Sequence, residues 1–93
     1  MSVSPTEPPR VNLTFPCEYV FKAFGPGGSP GFASSVQRAV ATVVPVALDA
    51  VKIRKSGQGK YQAVSVVLIM HNLEQVHAVY QALKTVPDLQ YLL

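Results

Sequence analysis

Along "FPCEYVFKAFG", residues 15–25, apolar and polar positions alternate: Tyr19, Phe21 and Ala23 fall on one side, Glu18, Val20 and Lys22 on the other. A period of two is that of a strand with one face buried. "GPGGSPG" then interrupts both ladder and helix. The period lengthens at Phe32, Val36, Val40 and Val43, which recur at helical spacing and build one apolar stripe. Ser29 is the expected N-cap, Pro30 suits the first helical position, and Pro45 stops the helix near Val44.

"AVKIRKS" predicts a second strand with Val51 and Ile53 inward and Lys52 and Arg54 outward. "SGQG" is its turn, with Gly57 and Gly59 expected to supply positive backbone angles, and "YQAVSVVLIM" is the third strand. A second helix opens at "HNLEQ", where Asn72 caps with Gln75 as its partner; His71 with Glu74 is the other frame. Leu73, Val76, Tyr80 and Leu83 are its expected buried stripe, Pro87 ends it, and "LQYLL" is a short last strand. Strand, helix, strand, strand, helix, strand, with right-handed crossovers, defines an α+β fold: a ferredoxin-like βαββαβ sandwich, a four-stranded antiparallel sheet with both helices on one face.

Helices on one side leave the other sheet face uncovered. In the third strand Val64, Val66, Leu68 and Met70 are the more uniformly apolar set and belong to the helix side. Ala63, Ser65, Val67 and Ile69 then face outward, and Val20 and Phe24 of the first strand point the same way. Wet apolar area costs roughly 25 cal/mol per Å², and a contiguous patch marks an interface. Val20, Phe24, Val67 and Ile69 are therefore the candidate interface, for a second copy of the chain or for another protein.

Composition sharpens this picture in a few respects. The chain has 93 residues, 48% of them apolar and only 14% charged, which makes one small globular domain. Its single cysteine, Cys17, forms no intramolecular disulfide, and no zinc-type cysteine spacing is present. Residues 1–14 carry three prolines and few core anchors, and read as a flexible tail ahead of a domain at 15–93. No run approaches a membrane span and no apolar leader is visible, so the expected location is cytoplasmic, away from membranes.

Residues 15–93 resemble the YbeD-like family of uncharacterised bacterial proteins. The resemblance lies in "FP" before an aromatic strand ending at Gly25, in "SGQGKYQAVSV", in "LEQVHAVYQAL" and in the short hydrophobic C-terminal strand. It implies a ferredoxin-like fold similar to ACT domains, small modules that bind amino acids and regulate attached enzymes. It implies no reaction. "SPGFASSV" is similar to the Pro-Gly start of the first helix in ACT modules, which faces the bound amino acid. Ser29, Pro30 and Gly31 are thus the candidate ligand loop for a small molecule: helix N–H groups favour a carboxylate, and Gly31 admits a ligand to the backbone. Ser29 stands where ACT modules often carry an acidic or amide residue.

Other chemistry is thinly represented. His71 and His77 are six apart, on different helix faces, and no third ligand is near. Cys17 reads as a small, partly buried thiol rather than a nucleophile. The five carboxylates suggest no acid–base pair, and "GPGG" lacks the Lys-Ser/Thr of a phosphate loop. No catalytic residue, cofactor or metal is expected. The sharpest feature is "KIRKSGQGK", where Lys52, Arg54, Lys55 and Lys60, four of the eight basic residues, fall within nine positions. It reads first as a hairpin tip whose charges keep an edge strand soluble, and then as a docking patch for an acidic partner. The expectation is a non-enzymatic regulatory or adaptor module binding a protein partner or small metabolite. A nucleic-acid binder using the hairpin is the alternative, set behind because the outward set of the third strand is Ala63, Ser65, Val67 and Ile69, with Tyr61 only at the rim for base stacking.

Overall fold

The computed structural model describes residues 14–93; the expected tail lies outside the described residues except for Thr14. The elements are β1 (Cys17–Pro26), α1 (Phe32–Ala41), a single turn of 3-10 helix (Leu48–Ala50), β2 (Val51–Lys55), β3 (Tyr61–Met70), α2 (Leu73–Leu83) and β4 (Tyr91–Leu92). The strands form one antiparallel sheet in the order β2-β3-β1-β4. This is the expected ferredoxin-like sandwich. β1 and β3 are central and pair over ten residues each, from Cys17 opposite Met70 to Pro26 opposite Tyr61.

The alternation in β1 and β3 has the phase read from the sequence. Phe21, Ala23, Val64, Val66, Leu68 and Met70 are buried with Phe32, Val36 and Val40 of α1 and Val76, Val79 and Leu83 of α2. Burying a ring such as Phe21 or Phe32 contributes about 1.5–3 kcal/mol. Two assignments differ. Leu73 is 43% exposed, and Val79 takes the stripe position beside a partly buried Tyr80. Ile53 lies on the helix side by register, opposite Val64, but is 54% exposed. β2 is an edge strand, and the helix contacts fall on β1 and β3.

Capping separates the two helices. Asn72 Oδ1 accepts from the Gln75 amide at 2.8 Å, and Gln75 Oε1 accepts from the His71 N–H at 2.8 Å, so the Asn72 frame holds with its return bond one residue earlier. Ser29 does not cap α1. Residue Gly31 occupies that position with no side-chain bond, and α1 starts at Phe32. The chain from Pro26 to Phe32 is instead a turn, with Ser29 N donating to Pro26 O and Phe32 N to Ser29 O. α1 also ends early, at Ala41, where Thr42 Oγ1 donates to Ala39 O at 2.6 Å and Val43 and Val44 both donate to Val40 O. The last turn tightens to 3-10-type bonds at Thr42 and Val43 ahead of Pro45.

Two loops cross at the end of the β1–β3 pair. Gly27 N donates to Lys60 O at 3.0 Å, and a Cβ at Gly27 would fall on the Gly59 carbonyl oxygen. Gly59 alone of the hairpin glycines has a positive φ, 69°; Gly57 does not. Gln62, only 3% exposed, completes the fastening: its amide nitrogen donates to Pro26 O at 2.9 Å and to Ser29 O at 3.0 Å.

Candidate functional site: the uncovered sheet face

Register converts the outward residues into rows that run across the sheet. Lys22 pairs with Ser65, which pairs with Lys52. One step along, Tyr91 pairs with Phe24, Phe24 with Ala63, and Ala63 with Arg54. Beyond them Pro26 pairs with Tyr61. In the other direction Val20 pairs with Val67 and Glu18 with Ile69. With strands about 4.8 Å apart and like-facing residues about 7 Å apart along each strand, the face has a basic half and an apolar half.

The basic half is concave. A depression of about 410 Å³ is lined by Lys22, Lys52, Arg54 and Lys55 together with Phe24 and Tyr61. Ala63 and Ser65 line it too, and their short side chains leave room between the cations. None of the described carboxylates lines it. Lys52 and Arg54 of the expected docking residues therefore face this depression, Lys55 lines it from the sheet edge because its register partner Gln62 is on the helix side, and Lys60 lies outside. Lys22 joins them from β1, thirty positions away, and was not in the expected cluster. Tyr61 is 51% exposed and Tyr91 60% exposed; the Tyr91 ring stands 5.9 Å from that of Phe24.

The candidate interface splits. Phe24 is half-buried and belongs to the basic half, whereas Val20, Val67 and Ile69 sit together in the apolar half. Those three are contiguous because Val20 and Val67 are direct partners and Ile69 is two residues along.

The candidate ligand loop is a different region. Ser29, Pro30 and Gly31 form the turn described above, and a Cβ at Gly31 would meet nothing within 4 Å. The Ser29 hydroxyl donates to Asp88 Oδ2 at 3.3 Å. This places a carboxylate of the protein beside the turn that leads into α1, where an amino acid's carboxylate was expected to land. The depression on the sheet face includes none of Ser29, Pro30 and Gly31.

His71 and His77 are exposed and Cys17 half-buried, and among the described residues no three His, Cys, Asp or Glu are grouped to hold a metal ion. Among the described residues, Tyr80 has the one clearly displaced pKa: burial first, then the Tyr19 hydroxyl at 3.3 Å, push its phenol far above the usual value near 10. That pair closes an aromatic cluster with Phe21, on the helix side and away from the uncovered face. Among the described residues, no helix is long and apolar enough to cross a membrane.

Residues 11–93 match the family described as "Protein of unknown function (DUF493)", and the chain belongs to that family. No curated protein matches it. Among solved structures, the chain is similar to the solution structure of protein HP0495 from H. pylori, with a TM-score of 0.67 and 14% identity over 100% of this chain and 94% of that one. At that identity the likeness is one of fold.

Proposed function

We propose that the chain is a non-catalytic regulatory or adaptor module whose working surface is the uncovered sheet face, and that it docks an acidic partner on the basic half. The observation that carries this reading is the convergence of Lys22, Lys52, Arg54 and Lys55 on one depression that no described carboxylate lines. Like charges gathered on a low-dielectric sheet face repel one another, and an anion relieves that repulsion while its own approach is accelerated. Solubility alone would be served by scattered charges. The YbeD-like and ACT-like resemblance supports a regulatory role, but the sheet face is a stronger candidate than the Ser29–Gly31 turn, because Asp88 already stands beside that turn.

The test separates position from net charge. Lys52→Glu and Lys60→Glu change the formal charge equally, yet only Lys52 lines the depression. Lys52→Glu is expected to lower the salt needed to elute the protein from an anionic matrix, and to weaken binding of soluble polyglutamate, well beyond Lys60→Glu. Equal effects from the two variants would sink the reading.

A further inference from the structure

We propose that the partner of this face is a single-stranded nucleic acid, held with its phosphates on Lys22, Lys52, Arg54 and Lys55 and its bases against Tyr61 and the Phe24–Tyr91 pair. The inference rests on the reading of the basic half as the docking surface and names the chemical class of its partner.

Charge complementarity restricts the occupant to a polyanion, and the rings restrict it further. An acidic peptide needs cations alone. Here Lys22, Lys52 and Arg54 share one face with three aromatic side chains, one each from β1, β3 and β4, and Lys55 adds its charge at the edge. Two of the three are more than half exposed, although a phenol ring left wet forgoes the burial that places most tyrosines partly inside. Phe24 and Tyr91 lie 5.9 Å apart with their planes inclined at 54°, two neighbouring rings at the β4 side. Tyr61 stands diagonally across from Phe24, about 7–8 Å away at the backbone. Beside them the floor is Ala63 in the Phe24 row and Ser65 in the Lys22–Lys52 row, both short side chains. A positive groove with aromatic platforms is the chemistry by which single strands are bound irrespective of sequence. A duplex hides its base faces and could use only the cations.

The site is the sheet face and not the hairpin tip, so Lys60 is excluded from it. The third strand taken alone, with Ala63, Ser65, Val67 and Ile69 outward, argues against stacking. The rings are supplied by its neighbours and by Tyr61 at its first position.

The experiment uses the full chain and a fluorescently labelled twelve-nucleotide oligouridylate, read by anisotropy at rising salt. Four phosphate contacts on a single strand give a slope of about −3 in log K against log salt. Tyr61→Leu and Tyr91→Leu, both at exposed positions, are each expected to weaken binding about tenfold. The pair Lys52→Gln, Arg54→Gln should flatten the slope by about 1.4, and Lys60→Gln should leave it as it is. Polyglutamate of equal charge should compete poorly. Equal competition by polyglutamate, with indifference to both tyrosine variants, would overturn the nucleic-acid assignment and leave the docking of an acidic polymer standing. Binding of neither polymer would overturn both.

Discussion

Gln62→Met tests whether one buried amide holds the β1–α1 turn against the sheet. Methionine keeps the length of the side chain and removes both hydrogen bonds, to Pro26 O at 2.9 Å and to Ser29 O at 3.0 Å. Neither carbonyl is stranded, because Pro26 O keeps the Ser29 N–H and Ser29 O keeps the Phe32 N–H. The loss is therefore two net hydrogen bonds at about 0.5–1.5 kcal/mol each, or about 1–3 kcal/mol, without the larger penalty of an orphaned group. For a domain of this size each kcal/mol moves the thermal midpoint by roughly 4–8 °C. Urea denaturation followed by circular dichroism should show a lower midpoint with the slope unchanged. Gln62→Glu sharpens the test, since an ionised carboxylate would face two carbonyl oxygens with no proton to donate. Its folded-state pKa must rise above the usual value near 4.3. Stability should then be highest at acid pH, where the protonated form donates one bond, and fall as pH rises through the unfolded and then the folded pKa. A Gln62→Met midpoint equal to wild type, or a Gln62→Glu variant indifferent to pH, would refute the fastening role.

Three further outcomes follow from the same geometry. Gly27→Ala drives a methyl into the Gly59 carbonyl and should cost about 1–3 kcal/mol or more in the same denaturation assay, whereas Gly57→Ala, with open space around it, should be nearly neutral. Tyr80, raised by burial and by Tyr19, should ionise well above the ordinary tyrosine range in an ultraviolet titration. Its raised pKa stabilises the fold fully below pH 10 and progressively less above it, and Tyr80→Phe should remove that alkaline loss; an unchanged profile contradicts the assignment. Self-association through Val20, Val67 and Ile69 predicts a sedimentation mass above 10.0 kDa at high concentration, returned to monomer by Val67→Lys; a wild type that stays monomeric ends that proposal.

The architecture was legible because β1 and β3 each repeat a strict period of two over a buried face, and slipping either by one residue would expose Phe21 or Val66. Edges and ends were less legible for physical reasons. Ile53 has the apolar character of an inward residue but lies on an edge strand beyond the helices, a fact of sheet order and not of local pattern. Leu73 and Val79 both fit a helical stripe, and only the docking angle of α2 chooses between them. Ser29 has good capping chemistry, yet Gln62 holds its carbonyl in a turn and Asp88 takes its hydroxyl. The candidate site was half visible. Lys52, Arg54 and Lys55 stand out as a run, whereas Lys22 and Phe24 join them only through the β1–β3 register. Alternation gave Phe24 its outward face, but nothing local to Tyr91 announces that it will stand beside that ring.

The crossing of the two glycine loops bears on how this surface can bind at all. β2 and its hairpin would otherwise be the loosest part of the sheet, an edge ribbon carrying three of the four cations. Gly27 closing on Gly59, with Gln62 beneath, ties the tip of that ribbon to the turn that launches the first helix. The backbone that carries these cations is thus held in place, so on the proposed reading less of the binding free energy would be lost to ordering that ribbon. The same tie joins the ribbon that bears the cations to the entry of α1, so the two halves of the fold share one fastening.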